Sequence, residues 1–329
     1  MDLKNKVKKI LESKILVIGD LMLDRFTYGD VIRISPEAPV PVLHVNHEEN
    51  YLGGAGNVAK NISALIGKNC NNNIGVIGVI GNDKSASTII ENMNNANIST
   101  SAIVIDNSRN TITKNRIVAA TQQIVRIDEE DTSPFSNIIT KNIENAFINN
   151  IDNYNTVIIS DYAKGVITKS LSKKIIDICN KKKKYVLVDP AIKHFSFYNK
   201  ATLMTPNLKE AVEGINSKLP YYKFDKKAIN ILGENIIKKL NLSKLMITLG
   251  ANGMVLFDEG MSPYLIPTKA KSIFDVSGAG DTVISVLAMC LSVGFSFIES
   301  SEIANAAAGI VVGKRGTSTL TLEELIDVL

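Results

Sequence analysis

The sequence predicts an α/β protein with a mostly parallel central sheet, helices on both faces and a small β lid. Three features carry this: short apolar runs that stop at polar residues, helical stretches between those runs, and two β-rich segments that interrupt the alternation. After a charged first helix, KILVIGD reads as a buried strand, because its β-branched run ends at Gly19-Asp20. NIGVIGVIG, NTVIISD, KYVLVDP, TLMTPN and KLMITLG repeat the pattern, with helical stretches such as Lys169–Lys181 and Ala228–Leu240 among them. In such sheets ligands gather beyond the carboxyl ends of the strands, so Asp20, Asp161, Asp189 and Asn207 become candidates.

Phe26–Tyr51, with its SPEAPVPVLHV punctuation, and Asn110–Asp128 have no helical period and are rich in strand formers. Both are expected to rise over the carboxyl edge of the sheet as a lid on a single domain spanning residues 1–329. Lys181–Lys184 and Asn71–Asn73 read as solvated turns.

Composition narrows the function. At 329 residues, with 45% hydrophobic and 21% charged, the chain is an ordinary globular protein, and disorder is excluded. A net charge of +4 suits small anions but falls short of a nucleic-acid surface. Cys70, Cys179 and Cys290 are too scattered for a disulfide framework or zinc site, and no run reaches the ~18 apolar residues of a membrane span. A cytoplasmic protein with no membrane or nucleic-acid partner is expected.

Two glycine turns carry the chemistry. In DVSGAGDTVISVLAMCLSVG, Gly278 and Gly280 let backbone N–H groups converge at a helix start, where an anion or developing negative charge can sit. Asp281 falls in the first turn of that helix, as a base beside the anion hole or as a simple cap. In YLGGAGNVAKNISALIG, Gly53-Gly54 exposes backbone to a ligand and Asn57 offers both a donor and an acceptor to a polyol, the alternative being a tight turn with its cap.

GGAGNVA and DVSGAGD, in this order and separation, closely resemble the two signatures of the PfkB-type, ribokinase-like sugar kinases. GDLMLDRFTYGDVIRISPEAPVPV, TITKNRIV, QQIVRID, SDYAKGV and TPNLKE further resemble the D-glycero-β-D-manno-heptose-7-phosphate kinase branch. The likeness runs from Ile15 to about Leu325 and implies a ribokinase-like three-layer fold, ATP as co-substrate and Mg²⁺. It implies that Asp281 is the general base, and that N–H groups of Gly278, Ala279 and Gly280 stabilise the transferred phosphoryl group. It further implies that Asp20, Gly53, Gly54 and Asn57 hold sugar hydroxyls, and that Asn207 and Glu210 place Mg²⁺ and the nucleotide phosphates. Thr248, Gly250 and Gly253 resemble the nucleotide-side loop, and Asn305 falls where the family lines the adenine pocket.

A 7-phosphate demands a cation, for which Lys114, Arg116, Arg33 and Lys164 are the candidates; each could equally make a lid salt bridge. The resemblance also implies a homodimer formed through the lid. Many relatives continue into a nucleotidyltransferase domain, so the residues to Leu329 correspond either to a stand-alone kinase or to the first part of a longer protein.

Rival readings fare worse. GVIGVIG has the spacing G-x-x-G-x-x-G with Val and Ile between, so it reads as a strand rather than a dinucleotide turn, and no G-x-x-x-x-G-K-[ST] string occurs. A sugar-binding regulatory module would need Asp281 or the glycine turn to be lost. The remaining alternative is a related kinase acting on ribose, fructose or another sugar phosphate.

Overall fold

The computed structural model describes residues 3–67, 73–219, 225–258, 260–270, 274–314, 316 and 318–329. Cys70, Asn71 and Asn72 lie outside them. The strands are β1 (Ile15–Gly19), β2 (Leu21–Ile34), β3 (Pro41–Gly54), β4 (Ile74–Ile77), β5 (Val79–Ile80), β6 (Val104–Ile105), β7 (Thr113–Ala119) and β8 (Gln122–Glu129). They continue as β9 (Thr156–Ser160), β10 (Tyr185–Asp189), β11 (Leu203–Met204), β12 (Lys244–Thr248), β13 (Met254–Asp258) and β14 (Tyr264–Ile266). The helices are α1 (Leu3–Lys6), α2 (Ala55–Ile66), α3 (Lys84–Asn95), α4 (Asn137–Asn150) and α5 (Lys169–Lys181). After them come α6 (Leu208–Gly214), α7 (Lys226–Leu240), α8 (Ala279–Ser292), α9 (Phe297–Val311) and α10 (Leu322–Val328).

The main sheet has the order β14-β13-β12-β11-β10-β9-β1-β4, parallel from β4 to β12 and antiparallel at β13 and β14. Side chains alternate across it, so each strand feeds two cores. Ile15 and Val17 pack into the core built with α2, α8 and α9, whereas Leu16 and Ile18 pack into the one built with α4, α5 and α7. That partition, repeated along β9 and β10, gives three layers, and each fully buried aliphatic side chain contributes ~1.5–3 kcal/mol.

Helix limits follow local chemistry. Thr168 caps α5 by accepting from the Leu171 N–H at 3.2 Å, and α7 begins two residues before the expected Ala228 because Asp225 caps Lys227 and Ala228. The charged start is shorter than expected: α1 is a single turn that continues as a 3₁₀ stretch, Val7–Glu12.

NIGVIGVIG is not one strand. It divides at Gly78 into β4, in the main sheet, and β5, which pairs with β6 outside it. A Cβ at Gly78 would lie 2.6 Å from Leu21 Cγ and 2.8 Å from the Gly19 carbonyl, so only glycine passes the corner where β1 turns into β2.

The expected lid is a four-stranded sheet of order β3-β2-β7-β8. Its two long strands reach further than the predicted segment, from Leu21 to Gly54, so they are rooted at the end of β1. The roots are buried; towards the tip Ile32 is 75% and Ile34 62% exposed. The Pro-rich tip is closed by the Ser35 N–H donating to the Val40 carbonyl at 2.9 Å.

Candidate active site

Helix α8 starts at Gly278, whose φ of +80° is the left-handed conformation glycine adopts without strain. Gly278, Gly280 and Asp281 have backbone N–H groups without a partner among the described residues. Ala279 differs from expectation: its N–H donates to the Val276 carbonyl at 3.3 Å, which leaves the other three N–H groups as the ones able to face an anion. A Cβ on Gly280 would meet nothing within 4 Å, which leaves open space at the helix start where a ligand can approach the backbone.

Asp281 is 7% exposed, and two side chains hold its carboxylate. Asn57 Nδ2 donates to Oδ2 at 2.5 Å, and Tyr162 Oη donates to Oδ1 at 3.1 Å. Burial pushes its pKa up to about 6, with nearby Asp24 adding to the rise and the two hydrogen bonds opposing it. The two glycine motifs thus meet on adjoining helices. Thr282 Oγ1 donates to Asn61 Oδ1 at 2.8 Å and Ser285 Oγ to the Val58 carbonyl at 3.0 Å, which fixes α2 against α8. Gly54 makes the junction possible: its φ is +56°, a Cβ would lie 2.3 Å from the Asp20 carbonyl, and the next N–H, of Ala55, donates to that carbonyl at 3.0 Å.

Asp20 has a different surrounding from the one expected of a sugar ligand. It is fully buried, and its carboxylate accepts the N–H groups of Tyr162, Lys164 and Val166 at 2.9, 3.1 and 3.0 Å. Those bonds fill it from within the protein. Burial and the nearby Asp161 raise its pKa to about 6 against their pull. Asp161 is likewise occupied, accepting from the Ala163 N–H at 2.7 Å and bonded to His194 Nδ1 at 2.7 Å and the Tyr198 hydroxyl.

A further acid, Asp24, lies close enough to Asp281 to raise its pKa, and the sequence pattern does not single it out. A Cβ on Gly53 would lie 2.4 Å from Asp24 Oδ2, so Gly53 is the residue that makes room for it. Its signal was an acid four residues after Asp20 in an otherwise apolar strand start, LMLD. Tyr162, inside the SDYAKGV string, is the other residue that the sequence pattern does not single out.

Two cavities meet here. One, of about 340 Å³, is lined by Asp161, Asp189, Glu210 and Asp281 among others; burial and mutual repulsion raise Asp189 well above the usual carboxylate range. The other, of about 320 Å³, is more apolar, and Val276, Val283, Ala308, Gly309 and Asn305 form part of its wall. Asn207, Thr248 and Gly280 line both, while Gly250 and Gly253 belong to the second alone. Asn305 Nδ2 donates to the Pro267 carbonyl at 2.8 Å, which orients its amide on that wall.

Asn207 and Glu210 form the capping box of α6. Asn207 Oδ1 accepts from the Glu210 N–H at 2.9 Å, and Glu210 Oε2 accepts from the Asn207 N–H at 2.8 Å. The box leaves Asn207 Nδ2 and Glu210 Oε1 for other partners. Burial also raises the Glu210 pKa.

Of the four proposed cations, three belong to one group on the lid and its neighbouring loop. Strand register puts Asp24, Phe26, Lys114, Arg116, Arg126 and Asp128 on one lid face. Arg116 pairs with Asp24 at 2.6 Å and lies over Phe26, Lys114 is 3.8 Å from Asp128, and Lys164 pairs with Glu130 at 2.6 Å. Arg126, not anticipated, sits directly opposite Arg116 and binds Asp128 through both Nε and Nη2. Arg33 lies apart, exposed near the lid tip and paired in register with Val42.

The fold is shared with solved sugar kinases. Phosphofructokinase-2 from Escherichia coli in complex with substrates and products superimposes with a TM-score of 0.76 at 16% identity, over 96% of this chain and 98% of that one. Arabidopsis thaliana ribokinase complexed with ribose and ATP gives 0.72 at 16% identity, over 96% and 98%. Fold and sequence family together define an ATP-dependent carbohydrate kinase of the ribokinase-like type. Residues 12–325 match the pfkB family carbohydrate kinase, and the chain belongs to that family. It is 40% identical to Bifunctional protein HldE of Sulfurimonas denitrificans over 97% of this chain and 65% of that protein. The same-named protein of Helicobacter hepaticus is 40% identical over 95% and 63%. The chain therefore spans a little under two thirds of these relatives.

Proposed function

We propose that the protein transfers the γ-phosphoryl group of ATP to O1 of D-glycero-β-D-manno-heptose 7-phosphate, giving the 1,7-bisphosphate used in ADP-heptose and lipopolysaccharide-core synthesis. The observation that carries this reading is the position of Asp281, at the start of α8 whose Gly280 lines both cavities, close to Asp24 of the cation-bearing lid face. The resemblance to heptose-7-phosphate kinases and the identity with the HldE proteins support the choice of sugar.

In this reading Asp281 accepts the O1 proton as the oxygen attacks phosphorus. A pKa of about 6 leaves it ionised at neutral pH yet more basic than an ordinary aspartate. The N–H groups of Gly278, Gly280 and Asp281 face the charge gathering on the phosphoryl oxygens. Asn57, Gly53, Gly54 and Asp24 hold the sugar, and Thr248, Gly250, Gly253 and Asn305 hold the nucleotide.

The residues present fit Mg²⁺. Asp189 and Glu210 are carboxylates with raised pKa values at one cavity wall, and beside them Asn207 Nδ2 can donate to a phosphate oxygen. Oxygen donors of this kind, with room for waters, suit that ion, which would neutralise phosphate charge when bound. Among the described residues no group of three His, Cys, Asp or Glu is placed to hold a metal ion.

Lys114, Arg116, Lys164 and Arg126 are the group assigned to the 7-phosphate; Arg33 is left out by its place at the tip. The apolar lid tips, with Ile32 and Ile34 exposed, support a homodimer formed through the lid. Among the described residues no helix is long and apolar enough to cross a membrane.

The test is ADP release across sugars with and without a terminal phosphate. Heptose 7-phosphate should give the highest kcat/KM, ahead of unphosphorylated heptose. A higher value with ribose or fructose would reject the sugar while leaving the kinase intact.

A further inference from the structure

The loop between β9 and α5 is wound around two buried carboxylates. The N–H groups of residues 162, 164 and 166 point to Asp20, while the intervening N–H of Ala163 points to Asp161. Ala163 at φ +55° and Gly165 at φ +113° supply the left-handed turns that bring alternate N–H groups to one side. A non-glycine residue in that region costs on the order of 1 kcal/mol, so the loop is held in this form by the acids at its centre. Its side chains leave in two directions. The Tyr162 hydroxyl reaches Asp281, and Lys164 reaches Glu130 just beyond the lid strand β8.

Asp20 is not explained by sugar or nucleotide binding, and Tyr162, although it lines the cavity of Asp189 and Glu210, makes a bond to Asp281 that ligand binding does not require. Asp20 is fully buried and filled, while Tyr162 carries one of the two donors on the proposed base. We propose that Tyr162 is a positioning residue for Asp281, holding its carboxylate ionised and oriented, and that Asp20 positions Tyr162 by fixing the loop. The proposal rests on Asp281 being the base.

The groups around Asp281 set the sign of the effect. Asp24 on the lid strand disfavours its charge, Asn57 and Tyr162 favour it, and Asp189 at the end of β10 is itself raised by Asp281 and Glu210. Loss of the tyrosine hydroxyl therefore raises the Asp281 pKa and shrinks the ionised fraction most at acidic pH.

The experiment is the pH profile of kcat/KM from pH 5 to 9, with ATP and heptose 7-phosphate, for the full chain and for Tyr162→Phe. The acid limb should move to higher pH. Activity at pH 6 should fall about tenfold, as expected for one hydrogen bond to a charged group, with the difference narrowing towards pH 8. KM for ATP should stay unchanged, and any loss of melting temperature should be confined to pH above about 6, where Asp281 is ionised, a pattern that a merely structural role would not give. Asp20→Asn, measured the same way, should displace the limb in the same direction and add little in the Tyr162→Phe background. An acid limb that stays in place in Tyr162→Phe, or a loss uniform across pH, overturns the proposal. Asp281→Asn separates the two levels: if it retains turnover, the base assignment fails; if it is inactive while Tyr162→Phe keeps the native limb, only the positioning role fails.

Discussion

Replacing Asp281 by Asn should make the protein less active and more stable at the same time. The amide is nearly isosteric, and its oxygen can accept from Asn57 Nδ2 while its nitrogen donates to Tyr162 Oη after that hydroxyl rotates. The site geometry therefore survives, but the proton acceptor is gone, and kcat should fall ~10²–10⁴-fold. Stability moves the other way because burial raises the pKa from its ordinary 3.8 to about 6. At ~1.36 kcal/mol per pKa unit this is a cost of about 3 kcal/mol, as an upper figure. For an acid whose folded pKa is raised, the cost is absent below pH 3.8, grows as pH rises, and is complete above about pH 6. The substituted amide carries no charge and escapes it. Thermal melting of both proteins at pH 4.5 and pH 8, beside an ADP-release assay, measures both effects. The variant should melt several degrees higher at pH 8, with a much smaller gain at pH 4.5. Near-native kcat would remove the base assignment, and a lower melting temperature at pH 8 would show that the charged carboxylate is stabilised by its partners.

Other predictions concern the metal, the lid and the assembly. Glu210→Gln keeps an oxygen for the Asn207 N–H and so should keep α6, yet it should raise the Mg²⁺ concentration for half-maximal rate and lower kcat; an unchanged titration would remove Glu210 from the site. Lys164→Ala and Arg126→Ala should each narrow the preference for heptose 7-phosphate over unphosphorylated heptose by about tenfold, whereas Arg33→Ala should leave it alone. Equal losses on both sugars would place these cations outside the phosphate pocket. Ile32→Glu combined with Ile34→Glu should convert a dimer into monomers in sedimentation, and a native that is already monomeric and fully active would reject pairing through the lid.

The layers were legible because their cause is local. Runs such as KILVIGD are apolar on both sides, so they must lie between two helical layers, and glycines before a helix leave few alternatives to a turn. What escaped depends on contacts made across the chain. Asp20 looks like a ligand from its place after β1, but whether a carboxylate at a strand end faces solvent or three N–H groups is settled by a loop 142 to 146 residues away. Asp24 was hidden by the opposite effect, since an acid within a strand reads as its exposed edge until Gly53, on the neighbouring strand, is seen to leave it room. Arg126 was invisible for a third reason: its position opposite Arg116 is a matter of hairpin register, set by the irregularity between Ile117 and Val118.

These placements divide the labour between a fixed floor and an exposed roof. On the floor, Asn57 and Asp281 are 224 residues apart in sequence yet joined directly, and α2 and α8 are further tied by Thr282, Asn61, Ser285 and Val58. Side chains there have little freedom, as a base that must meet a hydroxyl in one geometry requires. The roof differs: every residue of β8 is exposed, and the cations of the lid already hold carboxylates of their own. If the proposed 7-phosphate binds here, it must exchange with Asp24, Asp128 or Glu130 for those cations, whereas an unphosphorylated sugar gives the lid no reason to change partners. In the proposed reading, selectivity would then arise from a trade of ion pairs and not from a preformed positive pocket. It follows that substitutions in the floor should act mainly on kcat, and those in the lid mainly on KM and on the ratio between sugars.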